Sequence, residues 1–383
     1  MRVHKKNSLV VFVYDHFYPD FSAGGPITSF YNLSKLLKEH QHIRILTSAF
    51  EYQTRNEIAG VNKNCWTDWK GLSVWYATDR LSIKKAIDDL PNSQPVTFYL
   101  NGMFSVYYFL YPLWLAKKRG FRVIISPRGM LQQGAMNRGK LKKQIYILAL
   151  KLSGLLRNVS WHATDKQERE DIGLRIGNNL SIMDIPNVPV VAQEIHYPLV
   201  KASGELRLVY FSLIAEKKNL GFVLELLENP QLSAIQLDIY GPIKDQAYWE
   251  LCLLKINDLS SPNRVTYHGR VNPEKSISEI TKSHALILAT HGENFGHAIV
   301  EMLSASRPVI ISDKTPWIDL EKYGAGYSLP LKREIWIEKL SGMLAWNEAD
   351  FSMACSSALL YYQTKFNFDE LKMRYLELFS LRL

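Results

Sequence analysis

The sequence predicts an α/β protein made of two doubly wound, parallel-sheet domains in series. Its 383 residues suit two ordinary domains better than one. Continuously apolar runs recur between helix-period segments, as expected of strands buried on both faces of a parallel sheet. That alternation halts at a proline-bearing stretch and then restarts.

In the first half, residues 9–14 (LVVFVY) form an apolar run that ends at polar Asp15 and His16. The loop FSAGGP leads into residues 27–37, apolar at three-to-four spacing and so helical. Residues 43–47, 96–100, 123–126 and 159–163 read as further strands. The basic, amphipathic stretch 140–156 precedes the last of them. Residues 184–197, with Pro186, Pro189 and then Pro198, make the best linker. Strands at 206–211, 235–240, 265–268, 285–289 and 308–312 follow, with helices at 220–227 and 296–304. The expected division is residues 1–188, residues 189–365, and a terminal helix at 366–383 that returns to the first domain. Ligands of such sheets bind beyond the carboxyl ends of the strands, so the cleft between two of them is the expected site.

Composition narrows the function. A formal charge of +9 suggests anionic partners: nucleic acid, acidic lipid or phosphorylated small molecules. Three cysteines without a CxxC pair argue against a disulfide scaffold or thiolate zinc site and fit a reducing compartment. The N-terminal apolar run is broken by Asp15 and lacks a small-residue cleavage site, so it reads as a buried strand rather than a signal peptide. Residues 96–116 have membrane-span length and no charge, but Asn101-Gly102 and Pro112 interrupt them; a strand, a turn and an aromatic helix explain them. No G-x-G-x-x-G follows a strand, which disfavours a Rossmann oxidoreductase. Aromatic residues sit in apolar runs rather than among basic ones, which disfavours nucleic acid as a partner. His162 lies in an apolar strand and reads as a satisfied core histidine.

The chemistry concentrates in ALILATHGENFGHAIVEMLSASRPVIIS, residues 285–312. A strand, a polar glycine-bearing loop, an apolar helix and a second strand follow one another. Glu293 stands just before the helix and Glu301 within it. Free N–H groups at a helix N-terminus favour a diphosphate. Gly292 and Gly296 allow close backbone approach. A carboxylate grips vicinal hydroxyls of a ribose or pyranose. The two acids suit the two rings of a sugar nucleotide. The residues alone leave a second reading open, in which Glu293 complements the helix dipole and Glu301 is solvated.

The E-x7-E pattern from Glu293 to Glu301 resembles the signature of retaining family 4 glycosyltransferases, which have the GT-B fold. The run GENFGHAIVEMLSASRPVIISDKTPW is similar to that of bacterial members in surface-polysaccharide gene clusters. The likeness extends to SAGGP, ISPRGML, HATDKQEREDI, IPNV and EKKNL, and so spans most of the chain. It implies that Glu301 binds the nucleotide ribose. It implies that Glu293 contacts the transferred sugar near the backbone of Asn294, Phe295 and Gly296, and that Lys218 neutralises the donor diphosphate. Gly241, Gly269 and Arg270 match the base-seating loops, and Gly24 and Gly25 an acceptor or phosphate loop. The chain departs from the pattern at Leu213, where many relatives carry an arginine, and at Arg128, where many carry a histidine. Arg128 is expected to restore positive charge at the phosphates; its alternative is an intradomain structural role.

The implied activity is hexosyl transfer with retention, from a UDP- or GDP-sugar to a glycan or polyprenol-linked acceptor. No D-x-D or HExxH occurs, so no metal and no cofactor beyond the nucleotide-sugar co-substrate is expected. A cytoplasmic location is expected, peripheral on the inner face of the membrane, with residues 138–151 meeting an anionic lipid surface. A binding-only homologue, an epimerase and a phosphorylase remain the alternatives.

Overall fold

The computed structural model describes residues 8–21, 24–52, 54–137, 139–191, 199–259 and 262–380. The chain divides into two compact units, Met1–Val188 with Phe368–Leu383, and Pro189–Asn367. Arg138, Ser22, Ala23 and residues 192–198 of the expected linker lie outside the described residues.

The N-terminal unit holds an eight-stranded sheet. Its strands are β1 (Leu9–Val13), β2 (His42–Ser48), β3 (Trp66–Trp69), β4 (Leu72–Ala77), β5 (Val96–Asn101), β6 (Arg122–Ser126), β7 (Ser160–Ala163) and β8 (Ser181–Asp184). Their order is β3-β4-β2-β1-β5-β6-β7-β8. β1 and β5 are buried at every position, which is why β1 reads as an unbroken apolar run and β5 as a mostly apolar one. The sheet is parallel except at one edge, where β3 pairs antiparallel with β4. Lys70 and Gly71 both take positive φ, 53° and 78°, and close a two-residue hairpin whose twist matches the strands. This antiparallel edge adds to the expected parallel sheet. Lys-Gly is a weak turn signal beside Asn-Gly, and Trp66 packs edge-on against Trp75 at 5.4 Å to hold the pair.

Asp184, expected to open the linker, ends β8 instead. Residues 96–116 fold as β5, a π-helical turn Val106–Leu110 and a helix Tyr111–Lys118. No described helix is long and apolar enough to cross a membrane.

The final helix, Phe368–Ser380, completes the core of this unit. Phe379 packs against Phe12 and Tyr99 with ring centroids 5.7 and 5.4 Å apart. Arg122 donates from Nη1 to the Phe379 carbonyl (3.0 Å) and from Nη2 to that of Leu378 (2.9 Å), which caps the helix C-terminus with a cation.

The second unit holds six strands, all parallel: β9 (Leu206–Phe211), β10 (Ile235–Tyr240), β11 (Arg264–Gly269), β12 (Ala285–Leu288), β13 (Val309–Ser312) and β14 (Gly326–Leu329). Their order is β11-β10-β9-β12-β13-β14. The chain builds outward from β9 to β11, then returns to the other side of β9 with β12. The loops after β9 and β12 therefore diverge at their carboxyl ends, the place where doubly wound sheets bind ligands. In the N-terminal sheet the corresponding reversal falls between β1 and β5.

Candidate active site

The loop after β12 is clamped between its neighbours. Thr290 is fully buried; its hydroxyl donates to the Lys217 carbonyl (3.1 Å) and accepts from the Gly292 N–H (3.2 Å). The His291 N–H also donates to the Lys217 carbonyl (2.8 Å), and the Glu293 N–H to that of Lys314 (3.0 Å). These bonds fix the loops after β9, β12 and β13 to one another. They also bring Lys218 and Glu293 together: Nζ and Oε1 form an ion pair, with the side chains 17% and 15% exposed.

Gly296 then turns the chain into the helix His297–Ser304. It takes φ 75°, which favours glycine, and a Cβ there would also press within 2.8 Å of the tip of the Ile299 side chain. Trp317 Nε1 donates to the Phe295 carbonyl (2.6 Å) and supports the turn. Among the described residues, the N–H groups of Asn294, Phe295 and Gly296 have no hydrogen-bond partner. Donors in this position at the head of a helix favour an anion.

Glu301 lies within this helix beside buried Val300 and Met302. Its Oε2 is buried and has no hydrogen-bond partner. Burial, with no cation in reach, pushes its carboxyl up to about 7. A partnerless buried carboxyl oxygen is costly, and a ligand hydroxyl would satisfy it.

Gly241 and Gly269 sit at the ends of β10 and β11. The Gly241 N–H donates to the Gly269 carbonyl (2.8 Å), and Tyr267 Oη donates to that of Gly241 (2.9 Å). A Cβ on Gly241, at φ 144°, would collide with the Ser212 carbonyl oxygen in the loop after β9. Arg270 is exposed beyond them. The structure thus places Lys218 after β9, and Glu293, Asn294, Phe295, Gly296 and Glu301 in the loop and helix after the adjacent β12, with Gly241 and Gly269 at the ends of the next strands along.

Arg128 and the glycine pair belong to the N-terminal unit. Arg128 takes φ 55° after β6. Its Nε donates to Asn101 Oδ1 (2.9 Å), Nη2 to Tyr99 Oη (2.9 Å) and Nη1 to Asn187 Oδ1. Tyr99 Oη in turn donates to His162 Nδ1 (2.6 Å), and His162 Nε2 to the Ile185 carbonyl (2.8 Å). Burial, then the charge of Arg128, pushes His162 down to about 3, so it is the satisfied, neutral core histidine the sequence suggests. Every group of the Arg128 guanidinium is engaged within its own unit, the arrangement of a structural tie. Gly24, at φ 75°, precedes the helix Gly25–Leu37, and a Cβ on Gly24 would meet nothing within 4 Å.

Three residues at the β1–β5 reversal escape a sequence reading. Ser105 Oγ donates to Asp15 Oδ1 (2.6 Å), and burial holds the Asp15 carboxyl above its ordinary range. Burial pushes His16 down to about 4, and its Nδ1 is buried without a hydrogen-bond partner. The polar end of the run LVVFVY signals Asp15 and His16; the partner Ser105, 90 residues on, has no local signal.

Known proteins carry the same architecture. HepE of Anabaena, in complex with UDP and glucose, superposes at TM-score 0.68 with 13% identity, covering 97% of this chain and 99% of that one. WaaG, a glycosyltransferase involved in lipopolysaccharide biosynthesis, gives 0.65 at 13% identity over 97% and 99%. TarM gives 0.68 at 11% over the full length of both chains. The class is therefore that of the GT-B fold. Within the chain, residues 191–329 match the family model Glycosyl transferases group 1, which embraces β9 to β14 and the Glu293–Glu301 segment. No curated protein sequence matches the chain.

The buried Oε2 of Glu301 has a measurable cost. Raising its carboxyl from 4.5 to about 7 corresponds to on the order of 3 kcal/mol against the charged form. The folded state therefore holds the proton more tightly than the unfolded one, and stability falls as pH rises between those values. Glu301→Gln, which mimics the protonated acid, should raise the melting temperature by several degrees at pH ~8 and leave it unchanged near pH ~4. A pH-independent effect would show that Glu301 is not strained by burial.

Proposed function

We propose that this chain is a retaining, family 4-type glycosyltransferase that moves a hexose from a UDP- or GDP-sugar to a glycan or polyprenol-linked acceptor in cell-surface polysaccharide biosynthesis. The observation that carries the reading is the partnerless Glu301 carboxyl in the helix headed by the free N–H groups of Asn294–Gly296. The UDP and glucose in HepE and the lipopolysaccharide role of WaaG lend support.

In this reading Glu301 accepts hydrogen bonds from the ribose hydroxyls. The diphosphate lies at the N-terminus of His297–Ser304, and Gly241, Gly269 and Arg270 flank the base. Lys218 and Glu293 meet the reacting end: Lys218 the diphosphate, Glu293 the sugar. The bond between the anomeric carbon and the phosphate oxygen breaks with its electron pair going to that oxygen. A new bond forms from the acceptor oxygen to the same carbon, and the acceptor's proton passes to the departing diphosphate. Glu293 stabilises the positive charge that builds on the sugar. Asp15, His16, Gly24 and Gly25 of the N-terminal unit provide the acceptor's polar contacts. Arg128 holds Asn101 and Tyr99 in place for them, which favours a positioning role over its expected contact with phosphate.

The acceptor's lipid carrier motivates a membrane-facing surface. In the helix Lys140–Leu152, Ile147 and Leu150 are buried, while Leu141, Ile145, Leu148 and Leu152 are exposed at three-to-four spacing. Lys140, Lys142 and Lys151 flank this stripe. Apolar residues rimmed by lysines suit an anionic bilayer surface. Liposomes rich in anionic lipid should carry the protein upward in a flotation gradient at low salt, and Ile145→Glu with Leu148→Glu should abolish this. Absence of wild-type flotation at low salt contradicts the membrane surface.

Calorimetry with UDP and GDP tests the donor site. Glu301→Ala should weaken binding of the cognate nucleotide ten- to a hundred-fold, about 1.5–3 kcal/mol for a hydrogen bond to a charged group. Glu293→Gln should depress turnover more than nucleotide affinity. Turnover should persist in EDTA, since the reading assigns the diphosphate charge to lysine and helix rather than metal. Near-normal affinity and turnover in both variants would place the donor elsewhere.

A further inference from the structure

The donor site so described is short of positive charge. A nucleoside diphosphate leaves with about two to three negative charges near neutral pH. Lys218 and Glu293 are already paired, so together they add no net charge. The helix N-terminus supplies roughly half a charge. Leu213 is uncharged, Lys314 Nζ lies 3.0 Å from Asp313 Oδ1, and the Arg128 guanidinium is engaged in the other unit.

Lys217 fits the deficit. Its carbonyl is held twice by the loop after β12, from the His291 N–H and the Thr290 hydroxyl. The 3-10 turn Glu216–Lys218 ends at Asn219, φ 57°, and the Lys217 side chain lies along the backbone of Gly292. Its Cε and Nζ stand 3.5 and 3.9 Å from the point a Gly292 Cβ would occupy. Gly292 has no positive φ, so its backbone conformation does not demand glycine. A Cβ there would meet the lysine in ordinary van der Waals contact, so the observation is one of position: the lysine's cationic end lies against the Gly292 backbone, beside the open N–H groups of the same loop. Among the described residues Lys217 forms no ion pair.

We infer that Lys217 is a diphosphate-binding residue of the donor site, supplying the net positive charge that the Lys218–Glu293 pair cannot. The inference rests on the proposed donor site. In the transfer step Lys217 meets the charge arriving on the departing phosphate oxygen, and its fixed carbonyl keeps the side chain at the loop without reorganisation.

The test compares UDP with uridine, and GDP with guanosine, by calorimetry on wild type, Lys217→Met and Lys217→Arg. Lys217→Met should lose about ten-fold in diphosphate affinity and keep its nucleoside affinity; Lys217→Arg should retain most of the diphosphate affinity. The salt dependence of diphosphate binding should flatten in Lys217→Met. Unchanged diphosphate binding in Lys217→Met overturns the inference. Equal loss of nucleoside and diphosphate binding overturns it too, since that marks a structural role. A wild-type protein that binds neither UDP nor GDP instead overturns the donor-site reading itself.

Discussion

A carboxyl oxygen buried without a partner marks the second unit. Glu301 is carried on a helix whose inner face is apolar, and nothing among the described residues satisfies its Oε2. The fold tolerates the strain because the rest of the segment is over-determined. The helix is fixed at its head by Gly296 and by the Trp317 bond to Phe295, and it packs against β12 and β13. Sites that bind ligands commonly store such a cost, since a polar ligand relieves it. The glycine pattern, the clamped loop and the reversal of strand order all serve to hold this acid and the open N–H groups of the same βαβ unit in fixed relation.

The clamp around Lys217 links that unit to the chemistry. Its carbonyl bonds the loop after β12, so Lys218 meets Glu293 and Lys217 runs along Gly292 in opposite electrostatic roles. One lysine is paired with Glu293. Its neighbour keeps its charge. Adjacent residues of one type are sent to different sides of the chain by a 3-10 turn.

Much of this is legible in the sequence. β9 and β10 are legible to the residue because the apolar-rich segments LRLVYF and IQLDIY end at the polar loop after Phe211 and at Gly241-Pro242. The Glu293–Glu301 segment was legible because its strand, loop and helix are contiguous. The hairpin β3–β4 was not, since its Lys-Gly turn lacks asparagine and its tryptophans mask the alternation. β14 was not either, because GYSL carries no apolar run; Gly326 fits there because a Cβ would strike the Val309 carbonyl across the sheet. The Lys218–Glu293 pair spans 75 residues, and the Asp15–Ser105 pair 90. Such contacts follow from strand order, which periodicity does not encode. Arg128 illustrates the limit: its charge was visible, but not the three acceptors that occupy it.

Proton release on nucleotide binding tests the account most directly. Ribose hydroxyls that bond the Glu301 carboxylate favour its charged form, so binding must lower a carboxyl that stands at about 7 in the free protein. Titrating UDP and GDP at pH ~6.5 in two buffers of different ionisation enthalpy measures that proton. The account predicts that the cognate nucleotide expels a substantial fraction of a proton more from the wild-type protein than from Glu301→Gln, whose remaining release comes from the nucleotide's own terminal phosphate. Tight binding with no proton released by the wild type would contradict it, because the buried acid would then not be the ribose seat.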